Sequence, residues 1–225
     1  MKRNIITTAD GSKTIQIEEW NEQYHSVHGA IQEAKHVFIK HGLFFFKEMH
    51  PKIQPIHILE IGFGTGLNAY LTLLKSSETQ TKIEYVGVEA FPVIAEEINQ
   101  LNYVEELKTD EKLFSKLHDT SWETDQDITG DFKLTKQKKE FKNINDTNIF
   151  NIIYFDAFGA RVQPELWTET IFQKMYDALQ VEGVLVTYAA KGSVRRAMQA
   201  VGFKVEKLPG PPGKREMLRG IKLFI

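Results

Sequence analysis

The sequence predicts an α/β fold: a mostly parallel, seven-stranded sheet whose C-terminal edge strand runs antiparallel. Three observations carry this prediction. An apolar run, residues 56–61, leads through a glycine-rich turn into a segment with helical spacing. A second apolar run, residues 150–155, ends in an acidic residue, and the last two β-prone segments are joined by a Pro-Gly-rich loop. Alternating strands and helices are typical of parallel sheets, whose crossovers need helices.

Composition places the chain among globular proteins of one main domain. Its 225 residues are 42% hydrophobic, and we expect a main domain over residues 51–225 after an N-terminal hairpin-and-helix extension, residues 1–50. Cysteine is absent, which excludes disulfides, thiolate metal sites and a cysteine nucleophile. No 18-residue apolar run or signal-like segment occurs, so a soluble, cytoplasmic protein without a membrane partner is expected.

Charge is distributed unevenly along the chain. The formal net charge is −2, yet residues 191–219 carry eight Lys or Arg and two Glu. Such a basic block indicates either an anionic partner at one edge of the domain or a solvated face that keeps the protein soluble. Charge alone does not choose between the two.

The N-terminal extension begins with a hairpin signal. Asp10-Gly11 separates two β-prone runs within residues 4–19, and this dipeptide favours a tight turn. A helix is expected over residues 29–41. His25 and His28 lack a second pair of ligands, so no metal site is predicted. Three polar or aromatic side chains between hairpin and helix either line a site or form an ordinary loop: Tyr24, His25 and Ser26.

The glycine-rich turn follows the strand over residues 56–61, and a helix begins at Leu67. Glycines let a ligand lie against bare backbone, and the helix N-terminus faces that ligand with unpaired N–H groups. The G-x-G-x-G spacing with an acid two residues earlier resembles motif I of the S-adenosylmethionine (SAM) methyltransferases. The candidate cofactor-binding residues here are Glu60, Gly62, Gly64, Gly66 and Asn68.

A second strand, residues 82–89, ends in Glu89. An acid at this place accepts hydrogen bonds from both ribose hydroxyls of SAM or NAD; a solvated strand-end carboxylate is the alternative. Phe91-Pro92 is expected to open a helix that ends near Leu101, because proline is tolerated in a first turn.

The charged stretch over residues 102–131 predicts one helix near 110–118, and residues 132–136 alternate as a strand. In SAM-dependent enzymes an acid after this strand binds the adenine amino group, and an apolar neighbour covers the ring. Glu140 and Phe141 match this pattern, with Asp131 and Asp146 as alternatives.

The strand over residues 150–155 ends in Asp156. In an open α/β sheet ligands bind at the carboxyl ends of the strands, so Asp156 is expected beside the reacting atom; a helix cap or an ion pair is the alternative. A helix should run from Pro164 to about Leu179. A strand (183–189), a basic helix (191–200) and two antiparallel strands (202–208 and 217–225) complete the chain, as in class I SAM methyltransferases.

Several stretches together resemble the methyltransferase half of the MnmC family of tRNA-modifying enzymes. They are Ile61 to Asn68, Asp156-Ala157-Phe158 with Pro164 to Thr168, Lys214 to Met217, and Tyr24 to Gly29 with Glu33. The resemblance implies methylation, with SAM, of the primary amine of 5-aminomethyluridine at the tRNA wobble position. It covers essentially the whole chain, and no second glycine fingerprint is present, so the FAD-dependent half of that family is not expected. Ala157 stands where the family often has glycine.

The resemblance also implies roles for individual residues. Asp156 would accept and orient the amine, and Phe158, Tyr24 or Tyr188 would pack on the flipped uracil. Tyr24, His25 and Ser26 would form part of the substrate site. The residues expected to hold phosphates of the tRNA anticodon arm are Lys191, Arg195, Arg196, Lys214 and Arg215.

Two other functions remain open at this point. An aminopropyltransferase of the same fold class also places an acid after the fourth strand to handle an amine, although the basic C-terminal loop favours a nucleic acid. A SAM- or nucleotide-sensing, RNA-binding module without catalysis is the second alternative; the glycine loop together with Asp156 argues against it.

Overall fold

The N-terminal region forms a small antiparallel sheet. The computed structural model describes residues 2–224, and its first strands are β1 (Arg3–Thr7), β2 (Lys13–Ile17) and β3 (Glu22–Gln23). β1 and β2 pair antiparallel around the Asp10-Gly11 turn, which confirms the predicted hairpin. The two-residue β3 then pairs with β2 and begins the segment that leads to the first helix.

The main sheet has eight strands in the order β10-β11-β9-β8-β4-β5-β7-β6. Five neighbouring strands, β9, β8, β4, β5 and β7, are parallel, and antiparallel strands close both edges. Every residue of β8 is buried, as expected for a strand covered on both faces. The strands are β4 (Ile56–Ile61), β5 (Ile83–Val88), β6 (Asp125–Thr129), β7 (Phe132–Gln137), β8 (Phe150–Phe155), β9 (Leu179–Thr187), β10 (Lys204–Pro209) and β11 (Glu216–Ile221).

The sheet differs from the sequence prediction at its edges. It has eight strands rather than seven, because β6 forms a hairpin with β7. The polar sequence of β6, with three of its five residues charged or amide-bearing, offers no apolar run to detect. The antiparallel pair β10–β11 lies at the other edge as predicted. β11 ends at Ile221 rather than at Ile225, which lies outside the described residues.

Helices cover both faces of the sheet. The first helical segment begins as α1 (Ala30–Ala34), continues as a π-helix (Lys35–Phe44) and ends as α2 (Phe45–Met49), so it is longer than the predicted 29–41. The others are α3 (Leu67–Thr79), α4 (Ala95–Ile98), α5 (Tyr103–Leu107), α6 (Glu111–Asp119), α7 (Glu169–Ala178) and α8 (Gly192–Ala200), with 3₁₀ turns at Phe141–Asn143 and Pro164–Trp167. No helix within residues 2–224 has the length and apolarity needed to cross a bilayer.

Two helix boundaries depart from the predictions. α4 begins at Ala95, so Pro92 does not occupy its first turn. The reason is that Glu89 Oε1 accepts the N–H of Phe91 at 2.9 Å and holds this segment as a turn. The helix expected from Pro164 is a 3₁₀ turn followed by α7, whose N-cap is the Thr168 hydroxyl.

Two hydrophobic clusters lie on opposite faces of the sheet. The first contains residues of the α1–α2 segment, α3 and the N-terminal sheet, including Ile15, Phe38 and Tyr70. The second contains residues of α7 and α8, including Phe172 and Met198. Since Ile15 belongs to the first cluster, the N-terminal extension shares its core with the main sheet.

Strand order creates a crevice between β4 and β8. The chain passes from β4 to β5 and β7 on one side and then returns to β8 on the other. The N–H of Asp156, after β8, donates to the carbonyl of Ile61 at the end of β4 (2.9 Å). Ligands of open α/β sheets bind at such a switch point.

We expect Gly87→Ala to destabilise the protein by about 1–3 kcal/mol through overpacking. A Cβ at Gly87, within β5, would lie 2.3 Å from Cδ2 of Phe63, a residue of the glycine turn that is 4% exposed. Urea unfolding measures the effect. Gly130→Ala is the matched control, because a Cβ there meets nothing within 4 Å; equal stability of the two variants would contradict the prediction.

Candidate active site

The glycine turn lies at the carboxyl end of β4 with its backbone exposed to a cavity. Gly62, Gly64 and Gly66 have φ angles of 90°, 48° and 73°, a region that residues with a Cβ rarely adopt. A Cβ on Gly62 would lie 2.7 Å from the carbonyl oxygen of Asp156, and one on Gly64 would lie 3.0 Å from the ring of Tyr24. Only glycine therefore lets β4, β8 and the N-terminal segment approach this closely. Gly66 is the N-cap of α3.

Glu89 connects the end of β5 to the glycine turn. One carboxylate oxygen accepts the N–H of Gly64 at 3.0 Å, and the other accepts the N–H of Phe91 at 2.9 Å. Each oxygen keeps a second lone pair, and the residue lines the cavity. Glu89 can therefore accept further hydrogen bonds from a ligand while it fixes the turn.

The cavity at the switch point has a volume of about 570 Å³, within the range of small-molecule sites. It is bounded by the glycine turn, the ends of β5 and β8, the N-terminal segment and one lysine of the β10–β11 loop. Its lining includes six carboxylates and three Lys or Arg side chains, so the cavity favours a cationic ligand. These charged residues are Glu22, Glu33, Glu89, Glu140, Asp156, Glu165, Arg3, Lys142 and Lys214.

Asn68, in the first turn of α3, joins two carboxyl groups. Its amide nitrogen donates to Asp156 Oδ2 at 2.8 Å and to Glu60 Oε1 at 2.9 Å. Its carbonyl oxygen is buried and has no hydrogen-bond partner among the described residues. Since Asn68 also lines the cavity, this oxygen suits an N–H donor of a ligand.

Glu60 lies behind Asn68 rather than in the cavity wall, contrary to its expected place among the cofactor contacts. It is 1% exposed and accepts the hydroxyl of Tyr85 at 2.8 Å. Burial raises the pKa of Glu60 well above its usual value. Its role in the structure is to hold Asn68 from beneath.

Asp156 lines the cavity and titrates near neutrality. Burial, together with the negative charge of Glu33, raises the pKa of Asp156 to about 7, while the Asn68 hydrogen bond and the charge of Lys214 oppose the shift. A carboxyl group shifted by burial and by a specific neighbour in a cleft is typical of a functional site.

An aromatic wall, composed of Trp20, Tyr24 and Phe158, borders the same cavity as Asp156. The ring of Phe158 packs edge-on against Tyr24, with centroids 4.9 Å apart, and against Trp20 at 5.6 Å. The guanidinium of Arg161 donates to the carbonyl of Trp20 (2.9 Å) and to Glu22 Oε2 (2.6 Å), which fixes the segment. Trp20 was not identified from the sequence, because no motif marks it.

Tyr188 directly follows β9 and lines the cavity together with Asp156. Its hydroxyl donates to the carbonyl of Ala157 at 2.8 Å, and burial raises its pKa well above the usual value. The Nζ of Lys214 lies 3.8 Å from the centroid of its ring. Tyr188 is thus a fixed, uncharged side of the cavity.

His25 and Ser26 line the cavity, and each makes a hydrogen bond to the N-terminal region. His25 Nδ1 lies 3.0 Å from the hydroxyl of Thr14, and burial lowers the pKa of His25 to about 4. The N–H of Ser26 donates to Glu33 Oε2 at 2.9 Å. These hydrogen bonds hold this part of the cavity wall in place.

Glu140 and Phe141 line the same cavity as Glu89. Phe141 is 8% exposed, whereas Glu140 is exposed and pairs with Lys142 at 2.5 Å. The alternatives Asp131 and Asp146 are not among the residues that line the cavity.

The five predicted phosphate-binding residues divide into two groups. Lys214 pairs with Glu33 and lines the cavity. The other four lie outside the cavity. Lys191, Arg196 and Arg215 are exposed, and Arg195 is half-buried. Among the described residues no group of three or more His, Asp or Glu is arranged to hold a metal ion.

A glycine turn at a sheet switch point, with acidic residues after both neighbouring strands, defines a class of protein: an α/β protein that binds a nucleoside cofactor in a crevice lined by carboxyl groups. A family model described as S-adenosyl-L-methionine-dependent methyltransferase matches residues 100–223, and the chain belongs to this family. The cofactor of the family is therefore SAM.

Curated relatives carry a more specific name. The tRNA 5-methylaminomethyl-2-thiouridine biosynthesis bifunctional protein MnmC of Leptospira interrogans is 30% identical over 220 residues, which cover 90% of this chain and 33% of the relative. MnmC of Actinobacillus pleuropneumoniae is 26% identical over 227 residues, 91% of this chain and 33% of the relative. The resemblance inferred from the motifs is thus confirmed, and the chain spans about a third of the length of these relatives.

A solved structure shows the same fold. The crystal structure of MnmC2 from Aquifex aeolicus has a TM-score of 0.80 and is 23% identical; the match covers 100% of this chain and 73% of that one. The predicted fold class is therefore confirmed.

We expect Asp156→Asn to gain stability relative to the wild type as the pH rises. The pKa of Asp156 is about 7 in the folded chain against an ordinary value of 3.8, so ionisation is costlier in the folded state. The contribution of Asp156 to the free energy of unfolding of the wild type therefore falls as the pH rises from about 4 to about 7, by up to about 4 kcal/mol. Urea unfolding at about pH 5 and about pH 8 measures the difference.

The Asp127→Asn variant, at an exposed position of β6, controls for the loss of one negative charge. A stability difference between wild type and Asp156→Asn that stays constant across this pH range would show that Asp156 ionises as freely in the folded chain as in the unfolded one.

Proposed function

We propose that this protein methylates the 5-aminomethyl group of the wobble uridine, position 34, in tRNA and gives 5-methylaminomethyl-(2-thio)uridine. The observation that carries this proposal is the position of Asp156, which stands beside the glycine turn and titrates near neutrality. The names of the MnmC relatives supply the substrate class.

SAM fits the residues of the cavity wall. The glycine turn would take its methionine end, and Glu89 would accept its ribose hydroxyls through the free lone pairs. Phe141 would cover the adenine, and the unpaired carbonyl oxygen of Asn68 would accept an N–H. When bound, SAM supplies an electrophilic methyl group on sulfur.

The amine needs both orientation and deprotonation. A primary alkylammonium has a pKa near that of lysine, about 10, and must lose a proton before nitrogen can attack. Asp156 would hold the ammonium by a hydrogen bond and accept or relay the proton. Because a nearby negative charge also raises the pKa of an amine, its larger contribution is to position the nitrogen.

The remaining surfaces support a tRNA substrate. The aromatic wall offers faces on which a uracil taken out of its stack can pack. Outside the cavity, four basic residues lie at or within α8 and in the β10–β11 loop; three of them are exposed and Arg195 is half-buried. The charges of Arg195 and Arg215 both lower the pKa of Glu216, after the larger effect of Lys207. Such a cluster would hold anticodon-arm phosphates. A cytoplasmic location, without membrane contact, follows from this substrate.

The decisive experiment incubates tRNA carrying 5-aminomethyluridine with the protein and labelled SAM, followed by mass spectrometry of the nucleosides. We expect labelled 5-methylaminomethyluridine from the wild type. Asp156→Asn should lower the single-turnover rate by about 100-fold or more, because the amine loses both the carboxylate that positions it and a proton acceptor, and should leave SAM affinity nearly unchanged.

A parallel incubation with putrescine tests whether the protein methylates a free amine, which the acidic lining of the cavity would also accept. Methyl transfer to putrescine, with none to the nucleoside, would contradict the proposal. A wild-type rate for Asp156→Asn would assign this carboxyl group a structural role.

We expect Glu89→Gln to weaken SAM binding about 10- to 100-fold, the range for hydrogen bonds to a charged acceptor. Isothermal calorimetry measures it. Glu84→Gln is the matched control, because Glu84 belongs to β5, the strand that Glu89 follows, pairs with His57 and lies outside the cavity. Equal affinities of the two variants would remove Glu89 from the cofactor site.

A further inference from the structure

Two charged residues from opposite ends of the chain meet in the cavity wall beside Asp156. Glu33 belongs to α1 and is 6% exposed; Lys214 belongs to the β10–β11 loop. They form an ion pair, and both line the cavity. Their pairing joins two motifs that lie far apart in the sequence, Tyr24 to Gly29 with Glu33 and Lys214 to Met217.

Both partners are held by further contacts. Glu33 accepts the N–H of Ser26 through its second oxygen, and Lys214 lies over the face of Tyr188, whose hydroxyl is bonded beside Asp156. The loop itself rests on His28, since a Cβ at Gly213 would lie 2.1 Å from Cδ2 of that ring. Lys214 is therefore engaged inside the wall and is poorly placed to hold an external phosphate.

We propose that Glu33 and Lys214 form a positioning pair that sets the charge of Asp156 and thereby adapts the cavity to a singly charged amine. This inference rests on the proposed function only for the identity of the amine. The positive charge of Lys214 cancels the negative charge of Glu33. The ionised Asp156 then leaves one net negative charge to bind the ammonium.

The electrostatics give the two members opposite effects. Glu33 disfavours the ionised form of Asp156 and Lys214 favours it. The other polar groups facing Asp156 are the amide of Asn68, the buried carboxyl of Glu60 behind it, and the hydroxyls of Tyr85 and Tyr188. None of these carries a positive charge, so Lys214 is the cation that opposes Glu33 within the described residues around Asp156.

Each substitution therefore has a distinct consequence. Without Lys214, Asp156 becomes protonated at a higher pH and cannot hold an ammonium. Without the charge of Glu33, Asp156 ionises at a lower pH, but Lys214 is released and can pair with Asp156 in place of the substrate. The Michaelis constant for the amine should then rise.

The test is a carbon-13 NMR titration of the full chain labelled at aspartate, with the Asp156 signal assigned by its loss in Asp156→Asn. Relative to the wild type, we expect the pKa of Asp156 to rise by about one unit in Lys214→Met and to fall by about one unit in Glu33→Gln, the usual effect of a nearby charge. Lys214→Arg, which keeps the charge, should restore the wild-type value.

The matched control is the exposed pair Lys207–Glu216 of the same β10–β11 hairpin, which lies at 2.9 Å and outside the cavity. Lys207→Met and Glu216→Gln should leave the pKa of Asp156 unchanged. Shifts of the same sign in Lys214→Met and Glu33→Gln, or equal shifts in the controls, would overturn the proposed pair whether or not the tRNA substrate is correct.

Activity and tRNA binding give two further readouts. The acid limb of the pH–rate profile should move with the NMR pKa; if the wild type does not methylate the tRNA at all, the proposed function fails while the titration still tests the pair. Lys214→Met should keep the salt dependence of tRNA binding, whereas Arg215→Met should reduce its slope by about one. A reduced slope in Lys214→Met would show that Lys214 contacts phosphate instead.

Discussion

The bridge that Asn68 makes between Glu60 and Asp156 is the contact on which the site depends. One amide nitrogen satisfies a carboxyl group inside the core and another at the cavity wall. It lies where β4 and β8 part, so it also joins the two strands whose ends form the crevice. Because buried polar groups are costly when unpaired, loss of the amide would leave two carboxyl groups without a common donor.

This bridge explains how a carboxyl group with a raised pKa is tolerated. Asp156 gains a hydrogen bond from Asn68 and an opposite charge from Lys214, which together offset part of the cost of its burial and of the neighbouring Glu33. A strained electrostatic arrangement of this kind persists only when the surrounding structure holds it in place, which is typical of functional sites.

Local patterns predicted the centre of the fold well and its periphery less well. β4, the glycine turn and β8 are specified by apolar runs and by glycine spacing, which act over a few residues. β6 and Trp20 could not be found, because a polar edge strand and a lone aromatic carry no periodic signal. The sequence could not show that Glu60 lies beneath Asn68 or that Lys214 pairs with Glu33, because these positions depend on contacts between distant segments.

The ion pair between Glu33 and Lys214 spans 181 positions of the chain, and this separation has a consequence for biosynthesis. Contacts between residues far apart in sequence form late, since a long loop must close first. During translation the strands β4 and β5 can begin to pair long before the β10–β11 loop leaves the ribosome. The cavity wall is therefore completed only after the β10–β11 loop has been synthesised, and a nascent chain that lacks this loop would present the glycine turn without the charge balance that Lys214 provides.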